Sequence, residues 1–365
     1  MLWSIFFLLS YLSLIHLFVG LPWYAWQPDF VNVDAYEYHL AAQGLYLYDF
    51  QPHPTRMFGF PLLVGWISVW DNSFQAFWTT SYLLNIFFWL LTGLLLLRIG
   101  GKLFGAAQVL SYFPLVFFGL QIGNVVMVSQ AVTETFYTFL LVLLLWLWMS
   151  ATGNRQTRYL LAAFGVFCFS LVIRPTASVW LSLIVPTLFA FFLQKKQHFW
   201  QNTGVALLCL AATLGLQSGL MKTYYGVYNT SNIGLLTYFL YTDAYASAAA
   251  ETSGGWQGKG ESWNREYERR KKWIGMGPKG VADIANWPAA RDTMVQQCRK
   301  TWSAHKKELL LSYGRNLVSN TVSGSMIVEF LAKRCADETI RQRARYLFLL
   351  GRIQNAGCTD RKSVV

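Results

Sequence analysis

Long stretches without a charged side chain divide the N-terminal part of the chain. Six of these runs are at least 20 residues long, and a shorter seventh is extended by Arg174, whose stem can be buried at an interface. The runs cover residues 1–28, 72–97, 103–133, 135–154, 159–173, 175–194 and 197–221. A helix needs about 20 mostly apolar residues to cross a membrane. The pattern therefore predicts an all-α polytopic membrane protein with about seven transmembrane helices.

The distribution of Lys and Arg predicts how these helices are oriented. The first run has no basic residue ahead of its apolar stretch and ends in bulky side chains, which favours an uncleaved helix over the alternative, a cleaved signal peptide. If the N-terminus is cytoplasmic, the connections 98–102, 155–158 and 195–196 face the cytoplasm, and each carries two basic residues and no acid. The segment 23–71, with five acids and one Arg, and everything after Lys222 then lie outside the cytoplasm.

Composition separates the chain into two parts. Residues 1–222 hold 9 basic and 6 acidic side chains, whereas residues 223–365 hold 21 and 12, within a chain that is 54% apolar and 13% charged. We therefore expect a transmembrane domain at 1–222 and an extracytoplasmic helical region at 223–365. This composition excludes a disordered chain and a small disulfide-stabilised domain.

The basic C-terminal region does not predict nucleic-acid binding. Its predicted extracytoplasmic location argues against that partner, and acidic residues interrupt the basic ones, as on a solvated helical face. These acids are Glu266, Glu268, Asp292 and Glu308. The alternative is attraction to anionic lipid headgroups or to an anionic acceptor.

The first outer segment, 23–71, contains the candidate chemistry. Asp34, Tyr38, Ala41 and Leu45 recur at spacings of three and four, which predicts an amphipathic helix along the membrane surface. Asp34 would lie at its N-terminus, where a carboxylate is favoured. Arg56 follows, and a Gly and a Pro then turn the chain back towards the bilayer.

Several of these positions form a pattern that resembles a known family, the GT-C superfamily of membrane glycosyltransferases. The most similar group is the family 39-like one of protein O-mannosyltransferases and the lipid A aminoarabinose transferase. In the first loop the matching residues are Asp34, Tyr38, Ala41, Gly44, Arg56 and Gly59-Phe60-Pro61-Leu62-Leu63. Similar features further along are Thr133-Glu134-Thr135, Arg174-Pro175-Thr176 and the segment 228–234. Members usually have Pro where this chain has Phe58.

The resemblance implies a reaction, a fold and a location. The reaction is transfer of a hexose or pentose from a polyprenyl-phosphate carrier to a lipid, glycan or protein acceptor, with inversion at the anomeric carbon. It would take place at the extracytoplasmic face of a membrane, here a bacterial inner membrane, in a GT-C-type helix bundle. Many members carry a second acid beside the first-loop Asp, whereas here Ala35 follows Asp34 and Glu37 lies three residues on. A divalent cation is therefore an open alternative, and no other metal or cofactor is indicated.

The reaction requires a base and cationic groups, and candidates for each can be named. Asp34 is the expected base for the acceptor hydroxyl, and Glu37 and Glu134 are further catalytic candidates. The expected contacts to phosphate or sugar are Tyr38, Arg56, Arg174, Lys222, Tyr224 and Tyr228. Each has a structural alternative: Asp34 as a helix cap, the basic residues as interfacial anchors, and Glu134 as a loop residue or the partner of Arg174.

Two other functions are compatible with a multispan protein. One is a flippase or transporter of lipid-linked sugars, although transporters place polar features near the midplane and this chain gathers its acids in one outer segment. The other is a membrane scaffold, in which Asp34 and Arg56 would be replaceable. The last six residues, 360–365, match the translation of a common sequencing adapter, so we expect the native protein to continue with further spans.

Overall fold

A computed structural model provides the fold. It describes residues 9–10, 33–105, 109–120, 127–128, 130–154, 157–174, 199–251, 259–277 and 281–310. The described residues are mostly helical (83%) and contain no strand. The first expected span at 1–28, apart from residues 9–10, and the expected span at 175–194 lie outside the described residues.

The described residues form two compact units, the first made of 33–49 and 58–215 and the second of 50–57 and 216–310. The first unit contains six helices and most of a seventh. They are α1 (Val33–Leu47), α2 (Gly59–Val64), α3 (Phe74–Phe104), α4 (Phe113–Leu120), α5 (Glu134–Asn154), α6 (Thr157–Ile173) and α7 (Phe199–Tyr225). Short 3-10 turns at Gly65–Val69 and Leu110–Tyr112 precede α3 and α4.

Three of these helices are long and apolar enough to cross a membrane. They are the stretches Phe74–Phe104, Glu134–Ala151 and Thr203–Tyr225, and shorter apolar helices cover Gly59–Val69, Leu110–Gly119 and Arg158–Ile173. By length and composition these helices indicate a membrane protein. The seven-helix bundle itself is not shown by the described residues and stays a prediction.

The boundaries of α3 correct one expected connection. Ser73 caps its N-terminus by accepting a hydrogen bond from the backbone N–H of Ala76 at 3.1 Å. The helix then continues through 98–102 and ends at Gly105, which has a positive φ of 54°. The expected connection at 98–102 is therefore helical. Lys102 donates to Ser150 Oγ at 2.6 Å, so its charge does not end the helix.

The 103–133 run also differs from a single span where it is described. The end of α3, the 3-10 turn Leu110–Tyr112 and the eight-residue helix α4 all lie within it. Residues 106–108, 121–126 and 129 are outside the described part. An uncharged run cannot reveal these breaks, because apolar residues are common in helices and turns alike when both are buried.

The second unit is a small helical assembly with its own apolar core. Its helices are the end of α7, α8 (Ile233–Thr237), a π-helical segment (Tyr238–Asp243), α9 (Ala244–Glu251), α10 (Lys259–Trp273) and α11 (Trp287–Ala304). Leu236, Phe239, Ile274, Trp287 and Met294 are among the buried residues of this core. Asn286 caps α11 by accepting from the N–H of Ala289 at 3.1 Å.

A buried charge cluster in the second unit corrects the expectation for Glu266. This side chain is only 3% exposed, whereas Glu268 and Asp292 are 58% and 69% exposed, as expected for a solvated face. Arg270, fully buried, donates from Nε to Glu266 Oε1 at 2.8 Å and from Nη1 to Asp243. Glu266 is buried because a charged group can leave water when a partner of opposite sign accompanies it.

Candidate functional site

Tyr38 on α1 connects the first-loop pattern with two later motifs. Its side chain is 6% exposed, and its Oη lies 3.4 Å from Oγ1 of Thr133, just before α5. The ring of Phe60, from α2, packs edge-on against it with 5.3 Å between ring centroids. Two parts of the first-loop pattern therefore meet the Thr133-Glu134-Thr135 motif, 95 residues further along the chain, around one tyrosine.

Glu134 and Arg174 form an ion pair in the same unit. Arg174 NH1 donates to Glu134 Oε1 at 2.8 Å, and the two side chains are 33% and 27% exposed. Arg174 directly follows α6, and its guanidinium lies 5.7 Å from the ring centroid of Tyr137. Of the two alternatives for Glu134, a loop residue or a partner of Arg174, the structure shows the second.

The surroundings of Arg174 keep its guanidinium charged. Burial alone would lower the pKa of Arg174, but the Glu134 carboxylate, Tyr38 and Tyr137 outweigh that effect and raise the pKa above the usual value. Within the described residues, Glu134 is the one hydrogen-bond partner of this guanidinium, and it occupies a single nitrogen. Four further N–H groups can therefore bind another acceptor.

Gly59 allows the Gly-Phe-Pro motif to pack closely against the end of α6. A Cβ added at Gly59 would come within 2.7 Å of the backbone oxygen of Val172 and of Ile173 Cδ1. Only glycine lets α2 approach the end of α6 so closely. This contact places α2 directly beside the residue pair that precedes Arg174.

Asp34 lies in the first turn of α1, as the spacing predicted, and is partly exposed. It is about one helical turn, four residues or about 6 Å of rise, before Tyr38. Glu37, on the same helix, is 8% exposed. No group of three His, Cys, Asp or Glu side chains arranged to hold a metal ion occurs in the described residues. The catalytic roles of Asp34 and Glu37 stay predictions.

The other four candidates, Arg56, Lys222, Tyr224 and Tyr228, belong to the second unit. Lys222 donates to the carbonyl of Gly226 at 3.2 Å and lies 5.1 Å from the ring centroid of Tyr228. Tyr228 is 75% exposed and Tyr224 is 38% exposed. The contact of these three residues with sugar or phosphate stays a prediction.

The segment 50–57, which carries Arg56, is tied to the second unit by its backbone. The Tyr225 hydroxyl donates to the carbonyl of Pro52 at 2.7 Å. The backbone N–H of Asn232 donates to the carbonyl of Pro54 at 3.0 Å, and the Ser231 hydroxyl donates to that of Thr55 at 2.6 Å. Ser231 and Asn232 belong to the segment 228–234 of the resemblance. The segment 228–234 therefore holds the backbone of the segment 50–57 in place.

His53 is a residue of this segment that sequence reasoning missed. Its Nδ1 accepts from Thr55 Oγ1 at 3.1 Å and from the backbone N–H of Arg56 at 3.3 Å. Burial lowers the pKa of His53 to about 3, and the charge of Arg56 lowers it in the same direction. The imidazole is therefore neutral at physiological pH and acts as the acceptor that shapes the turn before Arg56.

Thr133, Tyr137 and His39 were also missed. Thr133 is part of the Thr133-Glu134-Thr135 motif, and Tyr137 follows Glu134 at helical spacing, so the sequence pattern weakly indicated both residues. His39 is 7% exposed and lies 5.3 Å from the ring of Phe77. Burial lowers the pKa of His39, which indicates a neutral packing role.

Comparisons with known proteins do not assign the chain to a family. No family model matches the chain, and neither curated proteins nor solved structures show a significant match. The function must therefore be argued from the residues and their arrangement.

Proposed function

We propose that the protein is a membrane glycosyltransferase that takes its sugar from a polyprenyl-phosphate carrier. The observation that supports this proposal is the convergence around Tyr38 in the first unit. Residues of the first-loop pattern, the Gly-Phe-Pro motif and the Thr-Glu-Thr motif lie in contact there, and Thr-Glu-Thr is joined to Arg174 by an ion pair. Each motif alone is weak support for this function, and their contact with one another makes the support stronger.

The reaction step follows from the roles assigned to these residues. The acceptor hydroxyl attacks the anomeric carbon and gives its proton to the Asp34 carboxylate. A new C–O bond forms on one face of the sugar while the bond to the carrier phosphate breaks on the other. The electron pair of the broken bond leaves with the polyprenyl phosphate, so the anomeric configuration is inverted.

Arg174 is the cation assigned to the leaving phosphate. Its charge is maintained by Glu134, and its remaining N–H groups suit the planar recognition of phosphate oxygens. Glu134 would then position Arg174 and does not need to contact the substrate. Charge that develops on the phosphate in the transition state is stabilised by such a donor, and the loss of one donor typically costs about 10²–10³ in rate.

The test is sugar transfer by membranes that contain the full-length protein. Polyprenyl-phosphate-linked hexoses and pentoses serve as donors, and release of polyprenyl phosphate is measured with membrane extract as acceptor. Asp34→Asn should lower the rate by about 10²–10⁴ because a positioned base is lost. Arg174→Gln should lower it by about 10²–10³.

Arg158→Gln is the matched control for Arg174→Gln. Arg174 directly follows α6, whereas Arg158 lies in the first turn of that helix and is exposed. If Arg174 is only an interfacial anchor, the two variants will behave alike. Equal transfer rates for wild type and Asp34→Asn, with the variant folded, would remove Asp34 as the base. A protein that binds or moves lipid-linked sugars without releasing polyprenyl phosphate would favour the transporter alternative.

A further inference from the structure

A small cavity lies between α3, α4 and the start of α5. Its lining residues are Trp89, Phe118, Met127, Glu134, Thr135 and Thr138. The volume is about 20 Å³, while one water molecule needs about 10–15 Å³ on the same measure. The cavity is therefore large enough for one water molecule.

Three polar atoms of this lining lack a protein partner. Trp89 Nε1, Glu134 Oε2 and Thr135 Oγ1 are buried, and the described part of the chain offers none of them a hydrogen bond. Trp89 is 1% exposed and Thr135 is 5% exposed. A buried polar atom without a hydrogen-bond partner is unfavourable, so three such atoms on residues that line one cavity indicate a missing partner.

The donors and acceptors of these atoms complement a single water molecule. The indole N–H of Trp89 is a donor, and Glu134 Oε2 is an acceptor. The Thr135 hydroxyl can be either. A water molecule accepts from the indole and donates to the carboxylate and the hydroxyl, which gives the three hydrogen bonds that buried waters typically make.

The same atoms disfavour a charged occupant. An N–H donor such as the Trp89 indole opposes a metal cation, whereas the Glu134 carboxylate opposes an anion. Thr138, the remaining polar residue of the lining, already donates its hydroxyl to the Glu134 carbonyl at 2.8 Å. It does not need a ligand.

We propose that this cavity holds one ordered water molecule that bridges Trp89, Glu134 and Thr135. Glu134 is then fixed at both oxygens, by Arg174 on Oε1 and by the water on Oε2. Trp89 and Thr135 become positioning residues for the ion pair, acting through Glu134. The proposal concerns the bound water alone and does not depend on glycosyl transfer.

The test is a structure of the full chain in nanodiscs at a resolution that shows ordered water. The expected result is one peak within about 2.7–3.2 Å of Trp89 Nε1, Glu134 Oε2 and Thr135 Oγ1. Density for a protein side chain in the cavity, or an empty cavity, overturns the proposal. Because this test uses the wild-type protein, it does not depend on the folding of a variant.

Variants then test the positioning role. In Trp89→Phe the water peak should be lost and the Glu134 side chain should rotate, so that the 2.8 Å contact with Arg174 lengthens beyond hydrogen-bond distance. Thr135→Val should weaken the peak. Thr138→Val, which changes the same lining without removing a water partner, should keep both the peak and the contact. An unchanged Glu134–Arg174 contact in Trp89→Phe contradicts the role of Trp89.

Discussion

Replacing Arg270 with Met tests how the second unit is held together. The guanidinium of Arg270 is fully buried and donates from Nε to Glu266 Oε1 at 2.8 Å and from NH1 to Asp243. NH1 also donates to the Phe239 carbonyl at 3.0 Å, and NH2 donates to Ser247 Oγ at 2.8 Å. One side chain therefore links α10 to the π-helical segment and to α9.

The expected cost follows from the two carboxylates that the variant leaves behind. Asp243 is fully buried and Glu266 is 3% exposed, so neither gains water when the guanidinium is removed. Breaking a buried ion pair by removing one partner typically costs about 3–5 kcal/mol. We expect Arg270→Met to lower the opening free energy of this unit by that amount at pH 7, or to unfold the unit if its stability is smaller.

The cost should depend on pH. Burial raises the pKa of Asp243, and Arg270 opposes this effect in the wild type. Without Arg270 the pKa of Asp243 rises further, and the folded variant binds more protons than the unfolded chain. Stability then falls as pH rises. The deficit of Arg270→Met should therefore be smaller at pH 5 than at pH 7.

Hydrogen–deuterium exchange of the intact chain in detergent measures this effect locally. Peptides from α9 and α10 should exchange at least about a hundredfold faster in Arg270→Met, which corresponds to about 3 kcal/mol. Lys271→Met is the control, because its pair with Glu268 at 3.1 Å is solvent-exposed and contributes about 0–1 kcal/mol.

The triple variant Asp243→Asn, Glu266→Gln, Arg270→Met separates charge from packing. Removing all three charges should recover much of the stability, since no unpaired carboxylate remains. If Arg270→Met and Lys271→Met show the same exchange, or if the deficit is independent of pH, the reasoning about the buried cluster is refuted.

Two further predictions concern the residues around the candidate site. Gly59→Ala should destabilise the first unit by about 1–3 kcal/mol in thermal unfolding, because its Cβ would meet the backbone oxygen of Val172 at 2.7 Å. Gly165→Ala on α6, with no described atom within 4 Å of the added Cβ, should be neutral or slightly stabilising, and equal losses would contradict the contact. For His53, burial lowers the folded pKa to about 3, below the ordinary histidine value of about 6.5. Its stability contribution is therefore complete above pH 6.5 and is lost as pH falls towards 3. Exchange protection of peptides covering 50–57 should decline over that window by up to about 1.4 kcal/mol per pH unit, and His53→Gln should flatten the decline; an unchanged profile would show that another group titrates.

Local patterns were sufficient to predict several elements. The spacing of Asp34 and Tyr38 predicted α1, and the uncharged runs predicted the apolar helices α3, α5, α6 and α7. These elements follow from periodicity and apolar length, which are properties of neighbouring residues. The sequence also named the pairing of Glu134 with Arg174 as one alternative, because both lie at the ends of apolar runs.

Contacts between distant residues could not be predicted in this way. Glu266 looks like a solvated acid in α10, and its partner Arg270 is only four residues later. The burial of this pair also depends on Asp243, which pairs with Arg270 from 27 residues earlier in the chain. Tyr38 and Thr133 are 95 residues apart, so their contact depends on how the helices pack. His53 has a local signal, because its Nδ1 accepts from the backbone N–H groups of Thr55 and Arg56, two and three residues later.

The central claim is that the protein releases polyprenyl phosphate as it transfers a sugar, with Asp34 as the base. The most direct measurement compares that release for wild type and Asp34→Asn in the same membranes, with both proteins present in equal amounts. We predict release by the wild type and a rate lower by about 10²–10⁴ for the variant. Release by Asp34→Asn at the wild-type rate, or no release by the full-length wild-type protein with any donor, would contradict the account.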